Sequence, residues 1–570
     1  MSNATRWQLG RSVVTSRRGV VSSKTIQASE AGASVLAKGG NAVDAAAATA
    51  AAAWVSEPWA NGIGGGGYMV IHRPGDVPAV IDYTMIAPQG ASPEMFPLAP
   101  RTKDKELFGW ASVVGGKNVH GASSVAIPGS LAGVALALER FGTISLAEAL
   151  EPAIALAEEG MPVSWHWGYV TARDVPILSR YPATAAIFLD DNGYAPFSAD
   201  SAAPRKLRNP DLARTLRLIA DQGPAVFYEG EIAKAMADHL AEQGAPITIQ
   251  DFANYRASVV EPLITDFHGT KILATPGPGG GPTLTEGMRI LAGFDLQSAG
   301  FGSAESLHLF AEAFKVAFAD RFAWIADPTQ IDVPFDALIS DDYLDARRAA
   351  IDPERATIAS AGDKATLGVN HELEPSMPEY TSGGSTTHLS VIDGNGMAVS
   401  NTQTLLSYWG SRVVPPGTGV VLNNGMMWFD PEPGRPNSVG PGKRPVANMA
   451  PIIVTNGDTV TAAIGTSGGR KIIGANAQMA INVIAHGMAM QAASDAPRMD
   501  VSTPEVIVSD RFDPGAIETL KAMGHPVRVA DETLLGGEFA SPANVQRLSD
   551  GTLASGMDSY YYPATAVAVD

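Results

Sequence analysis

The segment Gly383-Gly384-Ser385-Thr386-Thr387-His388-Leu389-Ser390-Val391-Ile392-Asp393 restricts the architecture more than any other part of the chain. Two glycines permit a sharp turn, and the alternating run behind them reads as a β-strand whose first residues carry hydroxyls. A hydroxyl at a strand's edge is placed as a nucleophile. Threonine is a weak one at neutral pH and needs a neighbouring base. Cutting the chain before it supplies that base, because the new α-amino group titrates near ~8 and can take the hydroxyl proton. An isolated Thr-Thr pair ordinarily does no more than end a loop and feed a strand, so the rest of the chain has to decide between the two readings.

The residue inventory narrows the chemistry. None of the 570 residues is cysteine, which excludes disulfides, thiolate metal sites and a cysteine nucleophile. A formal charge of -19 leaves no basic face for a phosphate backbone, so nucleic acid is not an expected partner. With 45% hydrophobic and 17% charged residues the balance is globular, and the length calls for a large multilayer core or two lobes. The start, Met1 to Val21, has Arg6, Arg11, Arg17 and Arg18 but no unbroken apolar run of a secretory signal, which sets a cytoplasmic expectation. The longest apolar stretch, Ala42 to Val55, is mostly alanine, carries Asp44 and is shorter than the roughly 20 residues that span a bilayer. It predicts a buried helix and no membrane partner.

Helical spacing from Thr25 to Lys38 stops at Gly39-Gly40, and Asn41 caps the alanine helix. The run Gly62-Ile63-Gly64-Gly65-Gly66-Gly67 matches dinucleotide-binding glycine spacing, but a helix precedes it and a β-rich run follows, the reverse of a phosphate cradle. Tight backbone packing that excludes any Cβ is the better reading. Pro128-Gly129 punctuates the start of a helix ending near Arg140, and further helices are expected over Leu146 to Glu159, Asp211 to Asp221 and Glu231 to Gly244. The stretch Ile358 to Tyr380 lacks a period and reads as a mobile, exposed loop just before Thr386. Strands are expected at Leu389 to Ile392, Met397 to Asn401, Gly419 to Leu422, Ala450 to Val454 and Val460 to Ile464. The pair Gly468-Gly469 before a helix Ile472 to His486 offers two backbone N–H donors to a developing oxyanion. No metal site is read: His166, His268, His308, His371 and His388 are scattered, and His371-Glu372 lacks the second histidine of a zinc helix.

Taken together, Gly39 to Ala46 (Gly-Gly-Asn-Ala-Val-Asp-Ala-Ala), Gly62 to Met69, Val125-Ala126-Ile127-Pro128-Gly129, Phe227 to Ala233, Thr386-Thr387-His388 and Gly442-Lys443-Arg444-Pro445 resemble the gamma-glutamyltranspeptidase family over nearly the whole chain. The resemblance implies an α/β fold, the αββα four-layer sandwich of N-terminal-nucleophile hydrolases, made as one precursor and cut autocatalytically. The cut would fall between Ser385 and Thr386. It would leave a helix-rich large subunit, 1–385, and a sheet-rich small subunit, 386–570, paired as a heterodimer with Thr386 as nucleophile. Thr404 matches the threonine that orients the nucleophile, and Gly468 and Gly469 match the oxyanion pair. His388 reads as a hydrogen-bonding residue and not a base. No cofactor is implied.

The departures are more informative than the matches. Thr84 stands where the family's glutamate-binding arginine would be, removing the bidentate carboxylate fork. Leu406, Gly425, Trp428, Ala447 and Asn448 occupy the other substrate-binding positions, and nearly every charge or hydroxyl there is gone. The expected activity is therefore hydrolysis or transfer of a small acyl amide through an acyl-threonine ester, with an acyl group other than γ-glutamyl. The suited groups are a neutral acyl chain, a dicarboxylic monoamide such as glutaryl, or a small oxo-acid amide. The alternative is a true γ-glutamyl enzyme whose clamp is rebuilt by neighbours such as Arg412 or Arg470. A dinucleotide oxidoreductase conflicts with the element order, and a non-catalytic binding relative would not need both Thr386 and Thr404.

Overall fold

The computed structural model describes residues 9–100, 109–200, 203–371, 373–374, 385–535 and 537–570. Two antiparallel sheets lie at its centre. One is seven-stranded, in the order Thr565–Ala568, Gly19–Ser23, Ser385–Asp393 (β1), Ala398–Leu406 (β2), Gly66–His72, Ala79–Tyr83 and Ser258–Val260. The other runs Thr15–Ser16, Leu553–Met557, Ser541–Arg547, Thr459–Ile464, Ile452–Asn456, Thr270–Ala274 and Leu263–Phe267, with Thr466–Ser467 also paired to Ser541–Arg547.

The period of two along each strand assigns the layers. In the first sheet Val21, Met69, Ile71, Ile81 and Val391 pack into one apolar cluster with the helices, while Val20, Val70, Val80 and Ile392 enter another. Ile453 and Ala463 of the second sheet join that second cluster, whereas Ile452, Val454, Ala462 and Ile464 pack against Leu284, Phe314 and Ile473 of helices on the far side. The sheets thus lie face to face with helices on both outer faces, the αββα sandwich.

On the β1 side, helix α1 (Ile26–Ala37) is capped by Thr25 and helix α2 (Ala42–Ser56) by a capping box of Asn41 and Asp44. Every residue of α2 is buried. Its alanines let α1 approach until a Cβ on Gly32 would stand 2.9 Å from the Ala45 carbonyl oxygen and 2.1 Å from Thr49 Oγ1. The glycine run is a close-approach segment of the same kind. Added Cβ atoms would stand 2.3 Å from the Val421 carbonyl oxygen at Gly64, 2.3 Å from that of Thr404 at Gly65 and 2.4 Å from that of Thr402 at Gly67. The run therefore braces β2, which carries Thr404.

Two expectations need correction. Gly419 to Leu422 does not form a strand: Gly419 has φ +66°, Leu422 makes only an isolated bridge to Gly64, and its backbone pairs irregularly with Ser411 and Val413. The stretch after Ile358 is anchored where it is described. The Gly362 N–H donates to Asp320 Oδ1 at 2.6 Å, Trp324 Nε1 donates to the Gly362 carbonyl at 2.9 Å, and Leu367 is buried; residues 375–384 lie outside the described residues. Residues on both sides of the Ser385–Thr386 bond share both sheets: Gly19–Ser23 and Gly66–His72 flank β1 and β2, and Thr270–Ala274 pairs with Ile452–Asn456. Among the described residues no helix is long and apolar enough to cross a membrane.

Candidate active site

Thr386 is the second residue of β1. Ser385 pairs with Leu406 and Thr387 with Gln403, so one residue, Thr386, faces two, Thr404 and Leu405, in a β-bulge. Bulges re-aim the side chains beside them. Here Thr404 Oγ1 donates to the Ser385 carbonyl oxygen at 2.5 Å and accepts the Leu406 N–H at 2.8 Å. That carbonyl belongs to the Ser385–Thr386 peptide bond, so in the continuous chain Thr404 polarises the bond whose cleavage would free the Thr386 amine. Thr386 lines a cleft of about 480 Å³ with Ser467, Gly468, Tyr408, Tyr561 and Lys471.

Across the cleft, Gly468 and Gly469 precede helix α3 (Lys471–Ile484). Gly469 has φ +65° and Gly468 φ +146°, and a Cβ on Gly468 would meet the Ala540 Cα at 2.9 Å, so both positions require glycine. Among the described residues neither N–H has an acceptor. Gly468 lines the Thr386 cleft, and two successive idle backbone donors there and just behind it are what a tetrahedral oxyanion needs.

His388 bonds Thr402 Oγ1 (2.8 Å) and Ser390 Oγ (2.9 Å) and fills the space over Gly465. Burial holds its pKa well below the usual histidine range, so the ring is a neutral, fixed hydrogen-bonding group.

Sequence reasoning missed three groups under the cleft. Tyr561, which lines it, donates to Glu57 Oε1 at 2.7 Å, and Lys24 donates to the Ser541 carbonyl and hydroxyl, each at 2.6 Å. Burial pushes the Glu57 carboxyl up to about 7, against hydrogen bonds from Thr387 and Tyr561, and pulls the Lys24 ammonium down to about 8. The available signals were local: Glu57 interrupts an apolar run between Val55 and Trp59, and Lys24 follows Val20-Val21-Ser22-Ser23.

The six proposed substrate positions lie elsewhere than expected. Among the described residues none of Thr84, Leu406, Gly425, Trp428, Ala447 and Asn448 lines the cleft of Thr386. Leu406, Trp428 and Ala447 are buried together in one apolar cluster with Met85, Met426 and Met427. The Thr84 hydroxyl is spent on Asp82 Oδ1 at 2.7 Å, and a Cβ on Gly425 would stand 2.8 Å from Ala126 Cβ. Trp428 and Asn448 line a separate crevice with Arg470. Arg412 is held by the Gly410 carbonyl at 2.6 Å and by Asp174 at 3.5 Å, so it supplies no clamp.

Away from the cleft, the fold brings His308, Glu312 and His525 together, with ligand atoms within 4.8 Å of one another. His308 Nδ1 and His525 Nε2 are 2.8 Å apart, and the Lys315 ammonium sits 2.6 Å from Glu312. A cation already neutralises the carboxylate, which makes this a hydrogen-bonded cluster of the core.

The chain is similar to known proteins over nearly its whole length. It is 37% identical over 97% of its length to the acylase ACY 1 proenzyme of Pseudomonas sp. (strain SE83), covering 94% of that protein. Identity to the glutathione hydrolase proenzyme of Escherichia coli (strain K12) is 32%, over 91% of this chain and 87% of that one. The crystal structure of cephalosporin acylase from Bacillus halodurans superposes with a TM-score of 0.86 at 28% identity, covering 100% of this chain and 99% of that one. The sequence pattern described as Gamma-glutamyltranspeptidase matches residues 28–559, and with that span the chain belongs to the gamma-glutamyltranspeptidase family of N-terminal-nucleophile hydrolases.

Proposed function

We propose that the protein is a self-processing threonine amidohydrolase and acyltransferase that acts on a small acyl amide other than a γ-glutamyl one. The observation that carries this reading is the hydrogen bond from Thr404 Oγ1 to the Ser385 carbonyl oxygen, beside a Thr386 that opens on a cleft also lined by Gly468. In processing, Thr386 Oγ1 attacks the polarised Ser385 carbonyl carbon, the C–N bond breaks and an ester forms. Water then hydrolyses the ester, leaving a carboxylate on Ser385 and a free α-amine on Thr386. The products are polypeptides 1–385 and 386–570, which remain paired.

In turnover the Thr386 amine takes the hydroxyl proton, the oxygen attacks the substrate amide, and the N–H groups of Gly468 and Gly469 hold the oxyanion. Collapse expels the protonated amine and leaves an acyl-Thr386 ester, which water or a second amine resolves. No cofactor takes part.

The acyl group is read from the replaced positions: where the family binds glutamate this chain carries Thr84, Leu406, Gly425, Trp428 and Ala447, residues without a carboxylate for an α-ammonium. Likeness to proteins named acylase supports the same direction. The test is kcat/KM for glutaryl and γ-glutamyl p-nitroanilides, compounds that differ only in the α-amine. The glutaryl compound is expected to lead by at least tenfold, and a tenfold lead for the γ-glutamyl compound would make this an ordinary γ-glutamyl enzyme with a rebuilt clamp.

A further inference from the structure

Ser541 and Lys24 make a contact at the cleft that the Thr386 chemistry does not use. Ser541 opens the strand Ser541–Arg547, pairs with Ser467 and lines the same cleft as Thr386. The two residues are equally accessible, Ser541 at 7% exposure and Thr386 at 8%. Gly468 packs on Ala540, the residue before Ser541, so the loop that carries the idle backbone N–H groups borders Ser541 as well.

Lys24 is 1% exposed and does not itself line the cleft. Its Nζ lies 2.6 Å from Ser541 Oγ, 2.6 Å from the Ser541 carbonyl oxygen and 3.2 Å from that of Pro542. The charges around it oppose one another: Asp558 and Glu57 favour the ammonium, while Arg498 and Arg11 disfavour it. The Tyr561 ring lies 5.4 Å away, and the nearby His388 is neutral. Burial outweighs these neighbours and pulls the ammonium down to about 8. The geometry suits the neutral amine, which has two N–H donors and one lone pair. The two carbonyl oxygens take the donors, and the lone pair is left for the Ser541 hydroxyl. Serine beside lysine is a recurring pairing of nucleophile and base.

We propose that Ser541 and Lys24 form a second nucleophilic site in the cleft, reactive toward esters whose alcohol leaves as a stable anion, such as aryl esters. Lys24 Nζ takes the Ser541 proton as Oγ bonds to the ester's carbonyl carbon. The oxyanion forms beside the Gly468 N–H, and its collapse breaks the C–O bond and expels the phenolate. An acyl-Ser541 ester and the Lys24 ammonium remain. Because Lys24 lies behind Ser541 and outside the cleft, it can receive the serine proton but cannot hand one to a leaving group. An amine leaves only with an added proton, so amide hydrolysis stays with Thr386.

This site does not need Thr386, so its test uses full-length Thr386→Ala, with processed wild type alongside. In Thr386→Ala, p-nitrophenyl acetate is expected to release a burst of about one equivalent of p-nitrophenolate. A fluorophosphonate, which loses fluoride to the same oxygen, is expected to leave an adduct that peptide mass spectrometry places on Ser541 in both proteins. The labelling rate should rise about tenfold per pH unit as Lys24 loses its proton, and level off above about 8. Ser541→Ala should abolish this adduct. Lys24→Arg, which keeps a cation and its donors but cannot take a proton, should slow labelling by on the order of 10². Absence of the Ser541 adduct in either protein would overturn the proposal, as would an undiminished rate in folded Lys24→Arg. Should Lys24→Arg not fold, the pH profile of Thr386→Ala decides, and a flat one between about 6 and 8 is equally fatal. Each of these failures leaves the acyl-threonine reading intact, since that reading is tested separately by the glutaryl and γ-glutamyl anilides.

Discussion

In the proposed mechanism Thr404 holds two positions, one for each covalent state of the chain. Before cleavage its hydroxyl donates to the Ser385 carbonyl, and after cleavage that acceptor departs and the hydroxyl is left beside Thr386. Thr404→Ala is expected to slow the disappearance of the full-length band by on the order of 10², with Thr404→Ser restoring most of the rate. Processing of Thr404→Ala at the wild-type rate would show that this donor is idle. Glu57 gives a second test. Its folded value of about 7 lies above the ordinary 4.5, so the folded state holds the proton more tightly. That contribution to stability is present below pH 4.5 and is lost as pH rises to about 7, by roughly 3 kcal/mol in all. Relative to Glu57→Gln, wild type should therefore lose that much across the window in urea unfolding, and parallel curves would contradict it. At this scale the sequence disclosed the hydroxyls and glycines, whose roles depend on near neighbours along the chain. Glu57, Lys24 and Tyr561 stayed hidden because they meet only through contacts spanning hundreds of residues.

Helices were the most legible elements. Thr25, Asn41 and Ser145 cap the helices that follow them, because a side-chain oxygen near an orphan N–H is a local event. The missing strand at Gly419 to Leu422 shows the opposite case. Its apolar residues are buried as a strand's would be, but Gly419 has φ +66° and is wedged against Leu212, where a Cβ would stand 2.2 Å from the backbone nitrogen, and the segment makes only the bridge from Leu422 to Gly64. The glycine run was read from element order as tight packing, and the structure adds what it packs against. Because a Cβ at Gly65 would collide with the Thr404 carbonyl, Gly65→Ala should cost about 1–3 kcal/mol and slow self-cleavage by displacing β2. Gly10→Ala, where a Cβ meets nothing within 4 Å, serves as the control. Equal midpoints for the two variants in a denaturant titration would show that β2 does not depend on this contact.

Across the whole molecule, the expected αββα layers follow from strands whose alternate residues are both apolar and buried, a pattern readable in Val20-Val21 or Met69-Val70-Ile71. The interleaving of the two segments was not readable, since strand partners far apart in sequence leave no local mark. It has a consequence after cleavage: with Gly19–Ser23 and Gly66–His72 bonded to β1 and β2, the two polypeptides share both sheets and one core. They should elute together in size exclusion and separate only when the fold is lost in denaturant. The central claim is that Thr386 becomes an N-terminal nucleophile by cutting the chain before itself. The direct measurement is the intact mass and N-terminal sequence of freshly purified wild type and Thr386→Ala, with amidase activity assayed on the same samples. Wild type is expected as two polypeptides, the second beginning at Thr386, and Thr386→Ala as a single inactive chain of 570 residues; an uncut wild-type protein with full amidase activity would contradict the account.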